Sequence, residues 1–563
     1  MEIATPDESW RLTLLAVESL LNQALSADIY NIAADKIRHE EVQLKFYRSI
    51  GQMLFNQAQP SIPAWYHCLK VLMSLNHLIV EPDLDKLLST SWVNSECVAA
   101  HVQKAREAVV SHLGRRQAVK SVLKPKTGSQ SGNQPASILS QAYIVEVVTI
   151  MLRCELSSLS VEEENEQSHI NLSHMILYQG FYHQIIKEIC SAQRPMEFLV
   201  SSLHFLSLFY QVMKKTGENV EEQGEKMKRD KELDEVYVHI LQTVHRLMSA
   251  SWLSSTNLCE LEAAVQELLC HLVEESTSDQ FNLLLLMIRE ALNASHWRVD
   301  NYRNVLSAVI IIKLLSCCQL PELCSKAWWL LAPQIISALM LFITWSSQDP
   351  SLILPFTVPT VMSVTLLLRR GEGLLTSPHY VTMVLGALQS VALDHLSPLV
   401  YHSVFLAVHE ALFAIIQCHP QVMLKAAPSF LNVFYRLVVS IMQEGRQQGE
   451  RHTGPDSHVY LECSRLVERM YSHIAATAES FTTLSSFMVA QYVTELQKVT
   501  LRTDIKLHLT EGIYQILDLC VEQDIKFLAA GLQLGVREVF NELYSSYTVY
   551  HKAQRQGEDK YTV

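Results

Sequence analysis

Three places in the chain set an imidazole beside a thiol, His67-Cys68, Cys270-His271 and Cys418-His419. A base within hydrogen-bond reach of a cysteine would release a nucleophilic thiolate. Adjacent side chains on a helix diverge by about 100°, so neither member of such a pair activates the other. His409-Glu410 opens a zinc-protease pattern whose second histidine should stand at 413, and that position is Phe413. Cys317-Cys318 and Cys324 straddle Pro321 with no histidine near in sequence, and no C-x-x-C pair occurs to hold zinc. Phosphate-loop and G-x-S-x-G patterns are absent as well. The sequence reads as non-enzymatic: no catalytic residue, metal ligand, cofactor or small-molecule substrate is expected.

Two sets of residues are suited to non-covalent chemistry instead. Lys104, Arg106, Arg115, Arg116, Lys120, Lys124 and Lys126 lie together with one acid, Glu107, among them. Arg116 and Lys120 stand one helical turn apart and could track phosphates. No aromatic side chain is interleaved, so contact with RNA there would be blind to sequence. A solvated helix end whose cations favour the carboxyl-terminal dipole reads equally well from these residues. At the far end Tyr544, Tyr547 and Tyr550 form a ladder of three tyrosines, with His551 next to the last of them. Tyrosine is enriched at protein interfaces, and Asp504 to Lys552 holds seven acids to four bases, poorly suited to RNA. These four residues are the candidate protein-binding set; closing the last helix onto its neighbours is the other reading.

The elements that must carry these residues are helical. Gly and Pro number only 17 each among 563 residues, and 49% of the chain is apolar. Scarce glycine with abundant leucine, alanine and glutamine favours long helices joined by tight turns. Ile505, Leu509, Ile513, Ile516 and Cys520 fall on one stripe, and Val536, Phe540, Leu543, Tyr547 and Tyr550 on another. Thr5-Pro6-Asp7-Glu8 supplies a helix start ahead of the apolar face Trp10, Leu14, Val17, Leu21 and Leu25. No alternating strand pattern and no repeat of fixed length is present. The expected fold is all-α, an irregular α-solenoid of the armadillo or HEAT kind, in which helix pairs bury their faces on one another.

Composition shifts divide the chain. A helical segment 1–123 is followed by a Pro-, Gly- and Ser-rich linker 124–137, then a second helical segment 138–213. Residues 214–235 are a charged spacer, either a solvated helix or a loop. The core of the array is expected over 236–443, a polar insert over 444–457, and a carboxyl-terminal helical domain over 458–563. Prolines at 321, 333, 350, 355, 359, 378, 398, 420 and 428 mark helix boundaries or kinks. The acidic start lacks the basic region of a signal peptide, and twelve scattered cysteines read as reduced thiols of the cytosol or nucleus.

One stretch competes with the soluble reading. Residues 327–348 carry no charge and are bracketed by Trp328, Trp329 and Trp345; residues 350–368 are also uncharged and end at Arg369-Arg370. Taken by composition alone this is a membrane hairpin with a basic flank. Pro333, Gln334, Ser337, Pro355 and Pro359 interrupt both segments, and a helix apolar all round is also what the middle of a large array needs. Burial within the array is therefore expected, with no membrane. An integral membrane protein remains one alternative and a helical-repeat trafficking adaptor another.

The carboxyl-terminal residues also carry a resemblance. Gly512-Ile513-Tyr514, Leu517-Asp518-Leu519-Cys520, Val539-Phe540, Leu543-Tyr544, Tyr547 and Tyr550-His551-Lys552 resemble the carboxyl-terminal domain of the unhealthy ribosome biogenesis protein 2 family. Glu462-Cys463, Arg465-Leu466, Tyr471, Ile474-Ala475 and Tyr492 fit the same domain more loosely, so the likeness covers roughly residues 400–563. The resemblance implies a nucleolar scaffold that assists pre-60S assembly and pre-rRNA processing, with pre-ribosomal assembly proteins as partners and pre-rRNA touched through the basic cluster. The sequence departs from the family where Ala553-Gln554 and the acidic Gly557-Glu558-Asp559 replace an aromatic, basic end. Family members are generally longer, which leaves fragment and short isoform both open. A net charge of −13 opposes RNA binding over the chain as a whole and leaves import into the nucleus to a partner.

Overall fold

Helix follows helix through the described residues because apolar side chains recur at steps of three and four, while proline and short polar turns cut the runs. The computed structural model describes residues 135–552, apart from 162–169, 171, 192, 219–222, 275, 294–301, 371–376 and 447–456; upstream it describes only Ala16 and Ser19. The amino-terminal segment, the basic cluster Lys104 to Lys126 and most of the 124–137 linker lie outside those residues. Among the described residues, the only departure from helix, turn and loop is an isolated bridge between Arg446 and Leu501.

The described residues form two compact units. One extends to Leu286 and takes in the short segment Cys318–Cys324; the other takes Met287–Cys317 and the chain from Ser325 onward. Helices α1 (Pro135–Val161), α2 (Leu172–Glu188), α3 (Met196–Glu218), α4 (Gln223–Met248) and α5 (Ser255–Val273) build the first unit. Here α1, α3 and α5 pack side by side in one layer, and α2 and α4 cover α3 from the other side. Aromatic rings fill the seam: Tyr182 stacks on Phe209 with centroids 4.7 Å apart, and Phe205 meets Phe181 at 6.0 Å. Helix α3 runs to Glu218 and α4 starts at Gln223, so the charged stretch 214–235 is helical wherever it is described. Helix α4 leaves Lys228, Arg229 and Glu232 of that stretch in solvent and turns Tyr237 and Ile240, just beyond it, inward.

Helix α6 (Ser278–Ala291) follows, then α7 (Tyr302–Leu315) and α8 (Glu322–Ser346). The second unit continues through α9 (Val358–Arg369), α10 (Pro378–Gln389), α11 (Pro398–Cys418), α12 (Pro420–Glu444) and α13 (Ser457–Ala476). It ends with α14 (Ser485–Leu496), α15 (Thr503–Leu517), α16 (Glu522–Gly531) and α17 (Leu534–Ser546). The odd-numbered helices α7, α9, α11, α13 and α15 touch in succession; α10, α12, α14 and α17 do the same in a second layer. This two-layer alternation without a fixed repeat length is the irregular α-solenoid expected from the sequence. Each helix covers the apolar stripe of the next, so the core is continuous along each unit.

Proline punctuates as its chemistry requires. Pro350, Pro378, Pro398 and Pro420 each occupy the first turn of a helix, where the missing N–H costs nothing. Pro355 and Pro359 fall where a continuous helix would need their N–H groups, and the backbone widens there into a π-turn, Ile353–Thr357, ahead of α9. Pro333 and Pro428 lie inside α8 and α12.

Among the described residues, five helical segments are long and apolar enough to cross a membrane by length and composition: Met196–Thr216, Glu322–Ser346, Pro350–Arg369, Pro398–Cys418 and Pro420–Glu444. Between 44% and 67% of each is buried against other parts of the protein. In the stretch that raised the membrane alternative, Trp328 is buried while Trp329 is half exposed. Phe342 meets Phe356 edge-on at 6.2 Å, and the hydroxyls of Ser346 and Thr357, both fully buried, share a 2.7 Å hydrogen bond. The two uncharged segments thus pack on each other through apolar and polar contacts alike.

Candidate protein-binding surface

The end of the second unit is built from the two stripes the sequence marks out. Ile505, Leu509, Ile513 and Ile516 of α15 are fully buried against the preceding helices, and Val536, Phe540 and Leu543 of α17 are buried beside them. Beyond Ser546 the helix widens into a π-turn, Tyr547–His551, with the Lys552 N–H donating to the Tyr547 carbonyl. A wider turn adds one residue per revolution, so the inward stripe passes from Tyr547 to His551 and not to Tyr550.

The four candidate protein-binding residues therefore separate. Tyr547 is buried and its hydroxyl donates to Asp518 Oδ1 at 2.7 Å; His551 Nε2 lies 3.1 Å from Asp518 Oδ2. Both rings also meet Tyr514, at 5.7 and 5.4 Å. Tyr544 is half-buried, stacked between Phe540 and Tyr547 with centroids 5.8 Å from each. Tyr550 is 69% exposed beside exposed Val549. Asp518 thus holds Tyr547 and His551 against the carboxyl-terminal end of α15 and leaves Tyr550 in solvent. Replacing Asp518 with alanine should release residues 547–552 while α15 stays folded, at a cost of about 1–3 kcal/mol for the stranded groups. Hydrogen exchange should then quicken at the end of α17 and not in α13; unchanged exchange there would show that ring packing alone holds the tail.

The layer of odd-numbered helices presents a row of charge-assisted contacts from helix to helix. Arg369 on α9 pairs with Glu410 on α11, and His402 Nε2 on α11 lies 3.3 Å from Glu462 on α13. His508 Nδ1 on α15 lies 2.5 Å from Glu468 on α13, which assigns its proton to that nitrogen; Nε2 then accepts from Arg465 at 3.4 Å. His409 is buried, its Nε2 lies 3.1 Å from the Leu466 carbonyl, and burial lowers its pKa against the opposing pull of Glu410. Sequence reading missed this row because its partners stand 40 to 60 positions apart, and only the helix order brings them together.

Many of the residues quoted for the family resemblance are buried, while Glu462, Arg465, Tyr550 and Lys552 are exposed. Cys463 is fully buried, and burial, aided by Glu462, pushes its thiol up to about 12, so it remains a protonated packing residue. Tyr471 and Tyr492 are buried, and Gly512 sits where α13 and α15 come closest. A cleft of about 270 Å³ opens between α14, α15 and α17, lined by Leu496, Leu501, Lys506, Tyr514, Val539 and Leu543 among others.

Of the thiol–imidazole neighbours, His67-Cys68 lies outside the described residues, His419 turns its Nε2 to the Leu368 carbonyl at 2.9 Å, and Cys270 and His271 face apart. Cys270 faces Gln266 and Cys318, while His271 on the next position reaches across to α3, its Nδ1 2.6 Å from Ser207 Oγ. That serine is buried, so the contact joins α3 to α5. His409 reaches the Leu466 carbonyl and Glu410 pairs with Arg369, with 3.7 Å between His409 Nδ1 and Glu410 Oε1; Phe413 packs on His473 at 4.8 Å. The basic cluster Lys104, Arg106, Arg115, Arg116, Lys120, Lys124 and Lys126 lies outside the described residues.

Solved structures similar to this chain include SYS-1 (10% identity, 96% of this chain and 97% of that one, TM-score 0.29), Kap121p (11%, 96% and 57%, TM-score 0.31) and importin beta in a polyethylene glycol condition (10%, 95% and 91%, TM-score 0.26). At these scores the fold assignment rests on the helix packing above. The Urb2/Npa2 family implies ribosome biogenesis, and residues 359–556, from α9 through the clamped tyrosine tail, match the model of that family, as the resemblance read from the carboxyl-terminal residues led us to expect.

Proposed function

We propose that this chain is a non-catalytic helical scaffold of ribosome biogenesis, nucleolar, which holds assembly proteins on the large-subunit precursor while pre-rRNA is processed. The observation that carries this reading is the family match over residues 359–556. The physics of the second unit supports it. A two-layer array offers a long surface whose interior is closed by its own helices; of the quoted family residues, Cys463, Tyr471, Tyr492, Ile513 and Phe540 build that interior and Tyr547 and His551 pin its end. The exposed Tyr550 and Val549 give a partner an aromatic anchor, and the cleft over Tyr514 is a recess on the same unit. Contact with pre-rRNA falls in this reading to the basic cluster between Lys104 and Lys126.

The test is to tag the full chain, locate it, and sediment a nuclear extract on a gradient. The tagged chain should concentrate in the nucleolus and travel with large-subunit precursors, and Tyr550→Ala should weaken that association without altering the melting temperature. The membrane alternative keeps one observation in its favour, the five long apolar helices. A chain that stays with the membrane pellet through alkaline carbonate and never enters the nucleus would overturn the scaffold reading.

A further inference from the structure

The first unit holds a close pair of thiols that nothing above uses. Cys270 lies on α5, half-buried, and Cys318 lies at the start of the short segment Cys318–Cys324, buried at 1% exposure. Their sulfurs are 3.1 Å apart, inside ordinary van der Waals contact. Gln266, one turn back on α5, donates its Nε2 to both, at 3.2 Å to Cys270 and 3.4 Å to Cys318. The Gln266 amide therefore bridges the two sulfurs and holds them side by side. Neighbouring thiols are engaged elsewhere: Cys324 donates to the Ser276 carbonyl from a buried position, and the exposed Cys317 turns back to the Lys313 carbonyl.

We propose that Cys270 and Cys318 are a peroxide-sensitive dithiol whose oxidation to a disulfide fastens the segment Cys318–Cys324 to α5. Exposure sets the order of events. The Cys270 thiolate, the one solvent can reach, attacks a peroxide oxygen; the O–O bond breaks, Cys270 becomes a sulfenic acid, and the leaving hydroxide takes up a proton as water. Cys318 then attacks the Cys270 sulfur, the S–O bond breaks, and a second water leaves with the Cys318 proton. Two thiols lose two electrons in all, and one hydrogen peroxide is reduced to two waters. The bond closes a loop containing α6 and α7, so it restricts the unfolded chain and should raise the melting temperature of the oxidised protein.

The experiment treats the reduced full chain with hydrogen peroxide, alkylates it, digests it without reductant and weighs the peptides. A Cys270–Cys318 cross-linked peptide, two hydrogens lighter than its parts and split by dithiothreitol, is expected. It should persist in Cys317→Ser and vanish in Cys318→Ser, where Cys270 should run on to sulfinic acid. Should Cys318→Ser fail to fold, a time course on the unaltered chain still decides: dimedone must trap sulfenic acid at Cys270 before the cross-link accumulates. Trapping at Cys318 alone, a cross-link from Cys270 to Cys317, or a free Cys270 at doses that oxidise Cys317 would each overturn the proposal.

Discussion

Replacing Arg194 with methionine should destabilise the first unit by about 3–5 kcal/mol, the cost of leaving a buried carboxylate without its cation. Arg194 and Glu188 are both 6% exposed, and Arg194 Nη2 donates to Glu188 Oε2 at 2.8 Å. The same carboxylate accepts from Gln184 Nε2 at 2.7 Å, while the guanidinium lies over the Phe198 ring at 4.9 Å. Burial lowers the arginine's pKa, against the pull of Glu188, so desolvation is what the pair must overcome. The two residues bracket the turn between α2 and α3, which makes the ion pair the fastening of that turn. If this account is right, Glu188→Leu combined with Arg194→Met should recover most of the loss, because two packed apolar side chains leave no stranded charge. Denaturant unfolding followed through α2 and α3 by hydrogen exchange measures both variants. A double variant as weak as the single one would show that the pair's shape, not its charge, is what the turn needs.

That pair marks where sequence reading stops. The stripe Ile505, Leu509, Ile513, Ile516 and Cys520 was legible because helical period and burial depend on local spacing, and all of it is buried except Cys520, which is half-buried past the end of α15. Prolines at 350, 378, 398 and 420 announced helix starts for an equally local reason, since their nitrogen has no proton to give. Neither Glu188 with Arg194 nor Glu468 with His508 could be paired from spacing, because each contact depends on how two helices lie. The tyrosine ladder shows the limit in one place. Period alone sets Tyr547 and Tyr550 on one stripe; the π-turn after Ser546 turns His551 inward and Tyr550 out. The row of histidine–carboxylate contacts across α11, α13 and α15 was invisible for the same reason as the ion pair.

Substituting valine for Gly512 should cost about 3 kcal/mol or more, and alanine about 1–3 kcal/mol, through overpacking where α13 and α15 cross. A Cβ at this position would stand 2.5 Å from Tyr471 Cδ2 and 3.2 Å from the Glu468 Cα. The backbone atom cannot yield without moving α13. The ring cannot yield freely either, since Tyr471 is buried edge-on against Phe434 with centroids 4.9 Å apart. Glycine weakens a helix interior by roughly 0.5–1 kcal/mol relative to alanine, so Gly→Ala at an open site should stabilise. Gly386 on α10 is such a site: an added Cβ there meets nothing within 4 Å. Opposite signs are therefore expected for Gly512→Ala and Gly386→Ala in thermal unfolding of the same unit. Separation of α13 from α15 also breaks the Glu468–His508 contact and shifts the helix that carries Asp518, so the Gly512 variants should lose the clamped tail as well as stability. Stabilisation by both alanines would mean that α13 and α15 part at no cost, and the close crossing would then have no claim to organise the end of the array.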